Sequence, residues 1–436
     1  MPDSYAIVPR WTIPVEPANQ VLEAHAVVIA NGLIDSLVPL AELEVNHPGI
    51  ERLDLPGHAL IPGLVNAHTH AAMSLMRGLA DDLPLMPWLK ARIWPAEARH
   101  VSPEFVHDGT LLACAEMLRA GTTCFNDMYF FPESAAAAAI ESGMRAALGI
   151  IVIEFPSAYA SGPDEYLEKG LALRDLHRDN PLLTFCLAPH APYTVSDTTF
   201  RKVGRLAAEL DIPVHVHLHE TEEELARSVS EHGVRPLERL RTLGLLGPQL
   251  ISVHSVHFNH TEIDLLGRYG CSVAHCPSSN LKLASGFAPV AAMSAAGVNL
   301  SLGTDGAASN NRLDMFQEMR QAALLAKAVA RDASVLPAAE ALRAATLGGA
   351  QALGIGHRTG SIVPGKEADL VAVRMDSPEL KPVYDPVSHL VYAASREHVD
   401  YVWVRGEMLL NRRSFARPVF ADLDEKVSLW QNRLQQ

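Results

Sequence analysis

Residues 62–71 read PGLVNAHTHA. The run LVNAHTH (64–70) is short and apolar, opens after Pro-Gly and ends in two histidines one residue apart. On a strand, positions i and i+2 face the same side. His68 and His70 therefore present two imidazoles together at the end of one strand. Seven more runs of this kind follow: TTCFNDM (122–128), RAALGIIVI (145–153), LLTFCLAPH (182–190), PVHVHLHE (213–220), LISVHS (250–255), CSVAHCP (271–277) and VNLSLGTD (298–305). Between them lie stretches with helical periodicity, such as PEFVHDGTLLACAEMLRAG (103–121) and DTTFRKVGRLAAELD (197–211). Strands alternating with helices predict an α/β fold, a (β/α)8 TIM barrel. Nearly every run ends in a polar residue: His70, Asp127, His190, Glu220, His254, His275 and Asp305. In such barrels the chemistry sits at the C-terminal ends of the strands.

The chain ends read differently. AVVIANGLIDSL (26–37) is apolar–NG–apolar, a hairpin signal. GSIVPGKEADLVAV (360–373) and YVWVRGEMLL (401–410) are again short strands broken by glycine and proline. Both ends are expected to share one small β-sandwich domain into which the barrel is inserted. The expected boundaries are 1–63 and 357–436 for the sandwich and 64–356 for the barrel, with EALRAATLGGAQALG (340–354) closing the barrel.

Composition excludes several classes. The chain has 436 residues, 48% hydrophobic and 20% charged, an ordinary globular balance. Its net charge of -14 argues against nucleic acid and anionic membrane surfaces, which call for a basic face. No membrane span is visible, and MPDSYAIVPRW lacks the pattern of a signal peptide. The five cysteines form no CxxC and lie mostly in apolar runs, as expected of reduced thiols in a cytoplasmic protein. A homo-oligomer is compatible with all of this.

Two histidines do not complete a metal site, since zinc takes roughly four ligands. The fifth run offers more: HVHLH sets His215, His217 and His219 on one face. The eighth ends in Asp305. A pair of histidines on run one, histidines on runs five and six and an aspartate on run eight together point to one metal centre. Periodicity alone leaves the choice among His215, His217 and His219 open.

PGLVNAHTH, HLHE, HCPSSNLKL, LGTDG and GSIVPGKEADLV, in this order along nearly the whole chain, resemble the amidohydrolase superfamily. The nearest match is its mononuclear-zinc deaminase and chlorohydrolase branch, in particular the 5'-methylthioadenosine/S-adenosylhomocysteine deaminase family. In that family the metal histidine stands three before a glutamate, which selects His217 with Glu220. The resemblance implies His68, His70, His217 and Asp305 as ligands of one zinc ion per subunit. Binuclear branches carry a carboxylated lysine on a middle strand, and LLTFCLAPH has no lysine.

It further implies hydrolytic deamination of an adenosine-type nucleoside at purine C6. Zinc supplies hydroxide near neutral pH, Asp305 takes the proton, and Glu220 protonates the ring nitrogen and the leaving amine. His254 would hold and polarise the hydroxide. Other acids of TEEE (221–224) read as an ordinary helix start. The family pattern sets Trp88 against adenine or ribose, Glu97 on the ribose hydroxyls, and His190 and Ser309 on the nucleoside. Met73, Met76, Leu85 and Met86 are candidates for an apolar pocket around a methylthio group, within a segment (71–100) long enough to cover the barrel mouth. Asn126, Asp127 and His275 are read as structural. Relatives that accept S-adenosylhomocysteine carry arginines for its carboxylate. The loop EFPSAYASGPDEYLEKG (154–170) has none, so methylthioadenosine is the expected substrate, ahead of S-adenosylhomocysteine and adenosine. The alternatives are a guanine deaminase or a triazine hydrolase on the same scaffold, and, far behind, a non-enzymatic scaffold protein.

Overall fold

The computed structural model describes residues 4–435. All eight expected runs form parallel strands: Leu64–Thr69, Thr122–Asp127, Arg145–Val152, Leu183–Pro189, Val214–Leu218, Leu250–His254, Ser272–His275 and Asn299–Leu302. They pair in chain order. The ring closes through the first and last members. The backbone N–H of Asp305 donates to the His68 carbonyl at 3.0 Å. Asn66 Nδ2 donates to Thr304 Oγ1 at 2.7 Å, and Thr304 N–H returns to Asn66 Oδ1 at 3.0 Å. Gly303 makes this approach sterically feasible, because a Cβ there would lie 2.8 Å from that of His68. The 340–354 segment folds as helical turns against the eighth strand, where Asn299 Nδ2 donates to Gly348 O at 3.0 Å.

Both chain ends build one nine-stranded mixed sheet. Its centre is Glu51–Pro62, parallel to Ser4–Thr12 on one side and antiparallel to Leu370–Arg374 on the other. The NG hairpin forms as expected: His25–Ala30 pairs with Leu33–Pro39, with Asn31 at φ 52° and Gly32 at φ 79°. Its core gathers Tyr5, Ile7, Ile29, Leu60, Leu370 and Trp403. The α/β barrel with a sandwich from both termini is thus the architecture of the chain. The last helix, Leu423–Leu434, leaves the sheet and returns to the barrel. There Trp430 Nε1 donates to Asp108 Oδ2 at 2.9 Å.

The GKEAD stretch ties the two units at the bottom of the barrel. Arg145, fully buried at the start of the third strand, donates through Nε to Asp369 Oδ2 at 2.9 Å and also pairs with Glu367. Asp369 Oδ1 accepts the Arg405 N–H at 2.8 Å. This junction sits at the end of the strands opposite the chemistry, so it fixes the frame without entering the site.

Candidate metal and active site

The strand ends deliver their polar residues to one point. His68 Nε2 and His70 Nε2 each lie 3.2 Å from Asp305 Oδ1. The rings of His68 and His217 have centroids 4.8 Å apart, and those of His70 and His217 stack at 5.4 Å. Ligand atoms of His68, His70 and Asp305 lie within 4.8 Å of one another, as do those of His68, His217 and His254. Two of these residues, His254 and Asp305, and His219 beside them needed unusual backbone. His219, His254 and Asp305 sit at φ 56°, 65° and 63°, a left-handed region that non-glycine residues rarely adopt and that clusters at functional sites.

The donor set suits a metal ion. His70 Nδ1–H donates to the Met128 carbonyl at 2.6 Å, and His217 Nδ1–H to the His190 carbonyl at 2.8 Å. Each thereby leaves Nε2 as a free lone pair, the usual orientation of a ligating histidine. His68 Nε2 is buried without a hydrogen-bond partner, although Asp305 Oδ1 is 3.2 Å away. Two ligands about 2.1 Å from a tetrahedral ion stand roughly 3.4 Å apart, so this spacing fits a shared cation. Burial, with the neighbouring histidines, drives the His68 imidazole down to about 4 and that of His217 well below its ordinary value, leaving both neutral as ligation requires. Burial opposes the charge on Asp305, yet His68 and His70 hold its carboxyl well below the usual range. The chain thus carries a metal-binding site.

The fifth strand places its three histidines differently. His217 faces the site. His215 lies one layer deeper, its Nε2 3.1 Å from His68 Nδ1. His219 departs from the expectation that all three share one face. The strand ends at Leu218, the backbone turns left-handed, and His219 Nε2 instead accepts the Leu237 N–H at 3.0 Å.

Beside this cluster opens a cavity of about 560 Å³, lined by His70, His217, Glu220, His254, Asp305 and His190, and walled by the 71–100 segment. Glu220 is 5% exposed, and its Oε2 lies 3.8 Å from His254 Nε2. Burial raises its carboxyl pKa above the ordinary value. His254 Nδ1–H donates to Asn280 Oδ1 at 2.9 Å. Trp88 lines the wall with its ring, its Nε1–H being spent on the Ala80 carbonyl at 3.1 Å. Glu97 also lines it. Tyr129 Oη donates to Glu97 Oε1 at 2.8 Å, and burial pushes the Glu97 carboxyl up to about 7. His190 Nδ1 is 3.0 Å from Thr194 Oγ1. Ser309 reaches the cavity while its hydroxyl donates to Asp305 Oδ2 at 2.6 Å. Of the four apolar candidates, Met73 and Leu85 line the cavity and Met76 and Met86 do not; Met128, Phe130, Ile151, Ile153 and Phe155 are among the other apolar residues of its wall. No lysine or arginine lines the cavity among the described residues. Asp127 is structural, its Oδ1 accepting the Ala71 N–H at 2.7 Å.

Several partners escaped the sequence reading. Ser279 Oγ donates to Asp305 Oδ2 at 2.7 Å, and Asn280 holds His254. Both belong to HCPSSN (275–280), a motif whose residues were visible but whose through-space partners were not. Tyr129, in the loop after the second strand, carried no signal at all.

Known proteins resemble this chain. The model of the Amidohydrolase family matches residues 59–409, and that of the NagA composite domain residues 17–60. A 5-methylthioadenosine/S-adenosylhomocysteine deaminase of Teredinibacter turnerae is 47% identical over 99% of this chain and 97% of its own. The crystal structure of an adenosine deaminase from Xanthomonas campestris with bound zinc is 51% identical and superposes with a TM-score of 0.97, covering 99% of this chain and 98% of that one. An atrazine chlorohydrolase of Arthrobacter aurescens complexed with zinc, at 23% identity and a TM-score of 0.89 over 99% of this chain and all of its own (100%), shares the fold. Both the family model, which spans most of the sequence, and this high identity over nearly full length lead to one conclusion: the chain belongs to the amidohydrolase family of hydrolases.

Proposed function

We propose that the protein is a zinc-dependent deaminase of adenosine-type nucleosides, with 5'-methylthioadenosine preferred, giving the inosine analogue and ammonia. The observation that carries the reading is the metal-type cluster of His68, His70, His217 and Asp305 on the floor of a nucleoside-sized cavity beside a buried acid, Glu220. The names of the Teredinibacter and Xanthomonas relatives support it. His68, His70, His217 and Asp305 would hold one zinc ion. Bound there, zinc lowers the pKa of water to about 7 and so supplies the nucleophile.

The side chains do the rest. Asp305, clamped by Ser279, Ser309 and the Gly306 N–H, accepts a proton from the attacking water. Glu220, kept protonated more readily by its burial, donates to the ring nitrogen next to C6. Glu220 is then reloaded with the proton Asp305 took, passes it to the departing amine, and receives the remaining hydroxyl proton as the C6 carbonyl forms, which returns both acids to their starting states. His254, its Nδ1–H fixed on Asn280, turns Nε2 toward Glu220 and the cavity and holds the nucleophile. Glu97 takes the ribose hydroxyls through the oxygen Tyr129 leaves free. Trp88 and His190 pack and orient the nucleoside.

The apolar wall with no cation supports a methylthio group at the 5' position over the charged tail of S-adenosylhomocysteine. Adenosine is a second reading, favoured by the name of the 51% identical relative. The five free, buried cysteines support a reducing compartment such as the cytoplasm. In this reading 64–356 is the catalytic barrel and 1–63 with 357–436 the sandwich that frames it.

The test is ammonia release from methylthioadenosine, S-adenosylhomocysteine, adenosine, guanine and a triazine. Methylthioadenosine should have the highest kcat/KM. S-adenosylhomocysteine as the better substrate would overturn the preference, and guanine or the triazine as the best substrate would overturn the reading.

A further inference from the structure

The acids of TEEE are not equivalent. Glu222 and Glu223 are exposed, as helix-start acids usually are, but Glu224 is 5% exposed. Thr221 caps the helix Glu222–His232, its side chain accepting the Glu224 N–H at 3.2 Å. In an ordinary capping box the acid at the third helical position reaches back to the N–H of the capping residue. The neighbouring helix His260–Tyr269 does this, with Glu262 Oε2 accepting the Asn259 N–H at 2.9 Å. Glu224 reaches further. Its Oε1 accepts the N–H of His219 at 3.0 Å and its Oε2 that of Glu220 at 2.8 Å.

These two amides belong to the turn where the strand ends and the chain goes left-handed at His219, φ 56°. A strained turn of this kind persists only where surrounding contacts hold it. Two backbone hydrogen bonds accepted by the two oxygens of one buried carboxyl group are such contacts. The turn sets where Glu220 points, and Glu220 Oε2 stands 3.8 Å from His254 Nε2. Glu224 does not line the cavity.

We propose that Glu224 is a positioning residue for Glu220: by gripping the amides of His219 and Glu220 it holds the turn that aims the Glu220 carboxyl at the reacting nucleoside. The activity part of this inference rests on the proposed deaminase reading, and the backbone part stands without it.

The experiment pairs two readouts on the zinc-loaded full chain. In the first, Glu224→Gln is made alone and together with Glu220→Gln, with Glu223→Gln as control. Glutamine can accept only one of the two N–H groups without inserting a donor against the other. Glu224→Gln should lower kcat for methylthioadenosine about tenfold, leave KM within about twofold and retain zinc. In the Glu220→Gln background it should cost nothing further, because it acts through that residue. The same tenfold loss in both backgrounds, or no loss in either, would overturn the proposal. In the second, hydrogen–deuterium exchange followed by mass spectrometry reads the peptide containing His219 and Glu220. Its amides should be protected in the wild type and exchange at least tenfold faster in Glu224→Gln, with barrel strands elsewhere unchanged. Unchanged exchange in that peptide overturns the proposal even if the wild type releases no ammonia, an outcome that would separately reject the deaminase reading.

Discussion

His215 Nε2 lies 3.1 Å from His68 Nδ1, so an imidazole, rather than the backbone carbonyl used by His70 and His217, orients His68. Partners of this type fix the ring and tautomer of a ligand, and their loss usually costs about 10–100-fold in metal affinity. His215→Ala should therefore still purify with zinc but yield it to a chelator at roughly 10–100-fold lower competitor strength. His217→Ala should lose the metal, and His219→Ala should hold it like the wild type. Chelator competition on the three variants checks the order.

Glu220→Gln removes the proton carrier and leaves every atom of the histidine–aspartate cluster in place. Zinc content should be unchanged while kcat falls about 10²–10⁴-fold, the usual worth of a positioned general acid or base. A variant that turns over normally refutes the proton-transfer role.

Glu97 Oε1 is taken by the Tyr129 hydroxyl, which leaves the second oxygen for a ribose. A hydrogen bond to a charged group is worth about 1.5–3 kcal/mol. Glu97→Ala should accordingly raise KM for methylthioadenosine by roughly 10–100-fold, and Tyr129→Phe by less. Neither should discriminate against an analogue that lacks the ribose hydroxyls. Steady-state kinetics on the two substrates separates recognition of the sugar from general damage.

Asp369 and Arg145 form a fully buried pair between sandwich and barrel. Removing one partner of such a pair leaves an uncompensated charge and costs about 3–5 kcal/mol. Asp369→Ala should lower stability by that order in denaturant unfolding, with little change in KM for whatever fraction remains folded.

Glu318 is fully buried, and burial pushes its carboxyl from 4.5 up to about 7. It accepts the Ser278 N–H at 3.1 Å and Asn310 Nδ2 at 2.9 Å. Between these two pKa values the folded chain binds the proton more tightly than the unfolded one. The contribution of this group is therefore full below pH 4.5 and is lost as pH rises through 7. It amounts to a few kcal/mol. Glu318→Gln has no such loss, so its disadvantage relative to the wild type should shrink between pH 5 and 7.5. Paired unfolding curves across that range check the sign.

What the sequence disclosed followed from periodicity. The eight apolar runs became eight strands because each is short and buried and all but the third are ended by a polar residue, and the NG turn paired its neighbours as hairpin chemistry demands. His68 and His70 were legible together because alternation fixes the side they share. His219 was misplaced because alternation ends where the strand ends, and only the backbone at φ 56° reveals that. Ser279 and Asn280 bond residues at the ends of other strands and Tyr129 bonds a helix residue far away in sequence, which no spacing along the chain records; Glu224 is close in sequence to its partners, but its reach back past the capping residue is not written in the TEEE pattern.

Diffraction from crystals of the zinc-loaded protein, recorded just above and just below the zinc absorption edge, addresses the metal centre itself. A single anomalous peak among the Nε2 atoms of His68, His70 and His217 and the carboxylate of Asp305 is the predicted result. A peak elsewhere, a second peak in the barrel mouth, or none at those four side chains would contradict the account.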